Sequence, residues 1–551
     1  MQPKISSQYN VRVPMRDGVT LSADIFRPAE TKQGARVPVI LVRTPYNKNQ
    51  VPYVEAARYF AERGYAYVTM DVRGRGDSDG EFVPYVNDGR DGYDAIEWCA
   101  AQGWSTGNVG TLGGSYLGRV QWLAALHQPP SLKTMIVMVT PSDPFVEFPT
   151  GTGGLQHLCW LYLVNGRLRQ PMDQIDWNPI YQHLPLNTMD ERAGFDAPKW
   201  REELQHPTRD AYWERICYQN KFEQINLPVM HISGWYDDEQ IGTPLNFIGM
   251  TTRGATEFAR KNQKLLMGPW GHAINTTQKI GEVDFGARAL IDLRAYELRW
   301  FDAWLKNQDD GITREPAARI FVMGKNEWRD ENEFPLARTQ YTKFYFHSSG
   351  NANSRYGDGA LSQEMPRNEK PDAYTYDPSR PTPYITNATS SQIGGPDDYS
   401  AIQQRGDVLV YVTASLEHDT EVIGPVRVIL YASSSAVDTD FTALLFDLHP
   451  NGFAQRLCDG VVRARYRDGM ETASLIEPHK IYKYEIDVWN TCHVFFAGHR
   501  IGVQIASAAF PKYDRNLNTG KDLATGTRME IAAQMIYHDA EHPSALVLPI
   551  I

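Results

Sequence analysis

The sequence predicts an α/β protein built on a parallel sheet, interrupted by a helical insertion and followed by a separate β-sandwich. Three observations carry this. Apolar runs alternate with helix-period segments over residues 1–143 and again over 226–315, which is the rhythm of βαβ units. Residues 144–225 are rich in Trp, Tyr, Gln and Arg and carry helical rather than strand patterns. From 316 to 551, short β-branched and aromatic runs are divided by Gly, Pro, Asn and Asp with no intervening helices, the texture of a jelly roll.

In chain order, residues 9–28 alternate apolar and polar around Asp17-Gly18 and read as a hairpin. Residues 37–42 form a continuous apolar run, as in a strand covered on both faces. A helix over 51–63, a strand over 65–71 and a helix over 90–102 lead to a strand over 109–112. That strand ends in Gly113-Gly114-Ser115, and a helix begins at about Tyr116. A strand that turns into a helix within a few residues cramps the backbone at its apex and demands small neighbours. Leu117 stands where G-x-S-x-G has its second glycine, and Gly118 follows one place later. The segment is therefore a G-x-S-x-x-G variant of a nucleophile elbow, or else a glycine-rich turn with a capping serine. The second α/β stretch supplies strands over 227–233 and 264–267 and a closing amphipathic helix over 290–305.

With 551 residues the chain exceeds one core and suggests about three domains. A formal net charge of −11 excludes nucleic acid and anionic membrane as expected partners. No run is long and apolar enough to span a bilayer. Five scattered cysteines without C-x-x-C, and an opening segment without the apolar stretch of a signal peptide, set the expectation of reduced thiols in the cytoplasm.

An elbow serine needs a base, and the base a carboxylate. In the α/β-hydrolase order these follow as acid and then His, each after a strand. Asp237 lies just past the strand over 227–233, in competition with Asp238 and Glu239, and His272 lies in the loop after 264–267. His231, mid-strand, reads as a core residue. The backbone N–H of Tyr116 is one oxyanion donor; the loop after residue 42 has no H-G-G-G nest, which leaves the Tyr46 hydroxyl as its candidate. Phe148, Trp160 and Trp235 are candidate pocket walls. His538 and His542 lack metal-site spacing, and the R-G-R-G-D run at 73–77 lacks the helix of a phosphate site.

Taken together, the segments 43–48 (RTPYNK), 71–82 (DVRGRGDSDGEF), 113–118 (GGSYLG), 234–237 (GWYD) and 268–272 (GPWGH) resemble the cocaine esterase family of serine hydrolases, related to Xaa-Pro dipeptidyl-peptidases and α-amino-acid ester hydrolases. The C-terminal segments 433–441, 458–466, 510–520 and 541–551 extend the resemblance over nearly the full length. It implies a triad of Ser115, Asp237 and His272, an oxyanion hole of Tyr46 hydroxyl and Tyr116 N–H, and a site where α/β-hydrolase core, helical cap and jelly roll meet. Aryl-ester hydrolases of the family are similar in having an aromatic residue two after the triad Asp; here Glu239 occupies that place, and Gln240 stands where amino-ester hydrolases have a second acid. Glu239 with Asp238 would suit a substrate ammonium; alternatively Glu239 faces solvent at a helix start. The expected substrate is a small-molecule ester or amide, with no metal or organic cofactor, no nucleic acid and no membrane; a homodimer is the one further association considered. A ligand-binding protein on a hydrolase scaffold, its β-sandwich a carbohydrate module, is the alternative from another class.

Overall fold

Ten strands form the sheet that organises the first three-fifths of the chain. The computed structural model describes residues 5–29, 36–387, 389 and 393–551. A hairpin of β1 (Ile5–Pro14) and β2 (Thr20–Pro28) pairs antiparallel with β4 (Ala66–Asp71), at one edge of the sheet. From there the order runs β4, β3 (Val37–Thr44), β5 (Ser105–Gly114), β6 (Leu132–Met138), β7 (Val229–Gly234) and β8 (Gln263–Gly268), all mutually parallel. All eight residues of β3 are buried, which is why its sequence is an unbroken apolar run. The crossover helices are α1 (Val51–Ala61), α2 (Asp88–Ala100) and α3 (Tyr116–Ala125).

The sheet does not stop at β8. Strand Ala318–Val322 adds parallel to β8, and Glu327–Glu331 closes the edge antiparallel to it. Both fall in the stretch from residue 316 onward that was assigned to the C-terminal β domain, although only 320–322 reads as a strand in the sequence; that β-branched and aromatic run is common to both settings, and only the distant partner Leu265–Met267 distinguishes them. Met323 then bridges to His493, so the same chain segment joins the two sheets.

Between β6 and β7 the chain runs through helices only, in the stretch read from the sequence as an insertion. Its helix α4 (Gln156–Leu163) is followed by short helices that bury Trp177 and Trp200, whose indole N–H groups donate to Met172 and Leu186 carbonyls. Phe510 and Ala524 of the C-terminal domain share its core. The C-terminal domain is a second, β-rich unit of eleven strands, with Thr420–Ser434 paired along its length with Tyr482–Phe495. A buried ionic network ties it to the rest: Arg463 pairs with Asp440 and Asp514 and donates to Thr150 O, and Thr152 donates to Asp514. All five cysteines are buried free thiols, and no helix among the described residues is long and apolar enough to cross a membrane.

Candidate active site

At the end of β5 the backbone of Ser115 takes φ 58° and ψ −129°, a conformation that L residues rarely adopt. Its N–H donates to Met138 and Val139 carbonyls, which fixes the apex against the end of β6. A Cβ on Gly113 would lie 2.4 Å from Leu117 Cβ, and one on Gly118 would lie 2.3 Å from Thr140 Oγ1. Gly118 is thus required by contact with the segment after β6, and Leu117 is tolerated because Gly113 makes room for it.

Two other loops meet this apex. Trp235 N donates to Gly268 O and Tyr236 N to Trp270 O, stitching the loops after β7 and β8 together. Gly234 and Gly268 allow this, since a Cβ on either would strike Trp270. The stitching brings Asp237 to His272: Nδ1 is 2.9 Å from Asp237 Oδ1, whose other oxygen accepts from Ser233 Oγ at 2.7 Å. Asp238 Oδ1 lies 3.4 Å from the same Nδ1. Ser115 and His272 line one cavity of about 190 Å³. A dry cavity of about 150 Å³ takes up benzene, so the space suits a ring-sized or branched acyl group.

Tyr46 follows β3 in a loop held from below. Lys48 N and Nζ bond Asp71, Tyr46 N bonds Thr44 Oγ1, and the buried Arg75 donates to Pro45 O at 2.8 Å and to Val164 O of the cap. The R-G-R-G-D run is therefore a clamp between core and cap. The Tyr46 hydroxyl accepts from Trp160 Nε1 at 2.9 Å. Tyr116 N–H emerges at the first residue of α3, where helix N–H groups have no partner within the helix, while its hydroxyl is anchored on Asp88 at 2.5 Å.

The cavity wall is acidic. Asp238, Glu239, Glu147 and Glu203 all line it, along with Phe148, Trp160, His157, Tyr85, Arg119 and, from the C-terminal domain, Ile393. Desolvation, then the neighbouring carboxylates, holds Glu239 well above the usual carboxylate range against the pull of His272. Desolvation likewise raises Asp238 to about 6 and Glu147 to about 7. Glu239 Oε2 is buried without a hydrogen-bond partner, as is Asp238 Oδ1. Burial disfavours an imidazolium at His272, but Asp238, Asp237 and Glu239 outweigh it and raise its pKa well above the ordinary value.

Of the sequence-predicted residues, Ser115, Asp238, Glu239, His272, Phe148 and Trp160 line the cavity, with Asp237 and Tyr46 bonded to members of that set. Trp235 does not. It is buried in the core between the two sheets and donates to Phe321 O, because the residue two before Asp237 faces the strand Ala318–Val322. Gln240 is bonded to Asn490 of the C-terminal domain, outside the cavity lining. His231 is a core residue on Gln263. Glu147, Tyr85, Arg119 and the His157–Glu203 pair (2.8 Å) were not anticipated; no motif surrounds them. Two clusters among the described residues have donors close enough for a metal ion, Asp237–Asp238–His272 and Asp447–His449–His499. In the first, His272 Nδ1 is engaged by Asp237; in the second, Asp447 is bonded by His493 and His499.

Residues 17–274 match the X-Pro dipeptidyl-peptidase (S15 family) model, and 310–547 match the X-Pro dipeptidyl-peptidase C-terminal non-catalytic domain. The chain is 38% identical to the cocaine esterase of Rhodococcus sp. (strain MB1 Bresler), over 98% of either chain. Its fold is shared with an α-amino acid ester hydrolase and with an aminopeptidase from a marine sediment Thaumarchaeota archaeon, each at TM-score 0.86 and 24% identity, covering 100% of this chain and 97% of the other. The chain belongs to the cocaine esterase family, with an α/β-hydrolase-like core and a C-terminal β-rich domain, and is a serine hydrolase that cleaves esters.

Proposed function

We propose that this hydrolase acts on esters whose acyl group carries an amino group, with Ser115 as nucleophile. Ser115 Oγ attacks the carbonyl while His272 Nε2 takes its proton and Asp237 holds Nδ1–H. The tetrahedral oxyanion accepts from Tyr46 O–H and Tyr116 N–H. His272 returns the proton to the leaving oxygen, and water, activated by the same imidazole, releases the acid. Small amides are accommodated by the same chemistry.

One observation carries the amino-acyl reading: Glu239 Oε2 is buried in the cavity wall with no partner, beside Asp238 and Glu147. An unpaired buried carboxylate is costly, and an ammonium in the cavity would supply the missing donor. The same ammonium offsets the charge that favours protonated His272, so an amino-bearing substrate frees the base that a neutral one leaves partly occupied. The test is a panel of p-nitrophenyl esters matched in shape, with and without an α-amino group, with Ser115→Ala as control. Preference for the amino member in kcat/KM is expected, and its absence in Glu239→Gln. Equal rates for matched pairs contradict the ammonium reading, and undiminished turnover by Ser115→Ala removes the nucleophile.

A further inference from the structure

The Tyr46 hydroxyl has one proton, and Trp160 lies within hydrogen-bond reach of its oxygen. Trp160 Nε1 can only donate, and it does so to the Tyr46 oxygen at 2.9 Å. The tyrosine proton therefore cannot point at Trp160 and is left for an acceptor on the cavity side, where Ser115 lies. Trp160 in addition withdraws charge from the phenol oxygen, countering the burial that makes Tyr46 a poor acid, and a more acidic O–H is a stronger donor to a developing oxyanion.

Trp160 is itself held firmly. Its ring stacks with those of Tyr116 (centroids 6.0 Å apart, 20° between planes) and His157 (5.5 Å, 15°). His157 is fixed by Glu203 at 2.8 Å. Trp160 and His157 sit on α4 of the cap and Glu203 on the cap helix Pro198–Leu204, whereas Tyr46 and Tyr116 belong to the core. The cap thus reaches both residues assigned to the oxyanion hole, one by a hydrogen bond and the other by a ring face.

We infer that Trp160 is a positioning residue of the cap, whose indole N–H aims the Tyr46 proton at the reacting oxygen. Cap and oxyanion hole then form one unit, and a cap shifted away from the core leaves a triad with a misdirected donor. This rests on the reading of Tyr46 as an oxyanion donor, and the two can be separated.

The experiment is a double-mutant cycle of Trp160→Phe and Tyr46→Phe on the full chain, read as kcat and KM for one p-nitrophenyl ester. Tyr46→Phe should lower kcat by about 10²–10³-fold. Trp160→Phe, which keeps a ring but loses the donor, should lower kcat by about 3- to 10-fold, with KM nearly unchanged. In the Tyr46→Phe background it should change kcat by less than about 2-fold. Replacing Trp160 with benzothienylalanine removes the N–H at constant shape, and should reproduce the Trp160→Phe result even if Phe loosens the cap. Unchanged kcat in Tyr46→Phe overturns the oxyanion reading. A normal Tyr46→Phe defect, with a Trp160 effect equal in both backgrounds, confined to KM, or absent from the isosteric variant, overturns the positioning role alone.

Discussion

In the amino-acyl reading, Glu239 sits where function and stability conflict. Its pKa is raised in the folded protein by desolvation and neighbouring carboxylates, so its protonated form is favoured by folding. Such a group contributes stability that is complete below the unfolded pKa and is lost as pH rises through the folded value. Glu239→Gln should therefore raise Tm, and raise it more at alkaline than at acidic pH; thermal unfolding across pH measures this. A Tm unchanged or lowered at alkaline pH would mean the carboxylate is solvated or paired. Removing this charge also removes one of the carboxylates favouring protonated His272, so the acidic limb of the kcat/KM profile for a neutral ester should move to lower pH. For an amino-acyl ester in the wild-type protein, KM should be lowest in the pH window above about 7, where Glu147 is ionised, and below the substrate's own amine pKa, where the ammonium persists; a neutral analogue should lack that minimum. Residues of this kind were only half legible in the chain. Glu239 could be singled out because it lies two places after an identifiable acid, whereas Glu147 stands ninety-two positions earlier in an unmarked segment and joins the cavity wall only through folding.

At the scale of elements, the site is a meeting of three strand ends. The turn from β5 to α3 was legible because its glycines answer local contacts: Gly113 faces Leu117, four residues away. The pairing of Asp237 with His272 was legible for a similar reason, since parallel neighbours β7 and β8 end side by side and their following loops must touch. Gly118 faces Thr140 across the sheet, which sequence spacing does not show. Gly118→Ala would put its Cβ against Thr140 Oγ1, the short side chain of a β-branched residue with little room to yield. Overpacking of this kind costs about 1–3 kcal/mol, and the displaced turn should lower kcat together with Tm. Normal Tm and kcat in this variant would show that the contact relaxes freely. Trp235 marks the opposite case: proximity in sequence to Asp237 suggested a pocket wall, but a neighbour from a strand eighty-six residues later claims its indole.

Across the whole molecule, the C-terminal domain is bonded to the cavity rather than appended to the core. Arg463, with no exposed surface, is held between Asp440 and Asp514 and reaches Thr150, while Asp514 also accepts from Thr152 of the cavity wall. Removing one partner from a buried ion network strands the others, at a cost of about 3–5 kcal/mol. Arg463→Met should lower stability by that order in denaturant unfolding and should weaken ester hydrolysis, although it touches no reacting atom. A loss below about 1 kcal/mol would show the network to be solvated. The β-rich character of this domain could be read from composition, but the first expected run, at 320–322, extends the sheet of the core instead, because strand composition carries no information about distant partners. The most direct measurement of the central claim is labelling with a fluorophosphonate, followed by intact mass and peptide mapping. One adduct per chain on Ser115, lost in Ser115→Ala and strongly slowed in His272→Ala, is the expected result. An adduct on another residue, or labelling indifferent to His272, would contradict it.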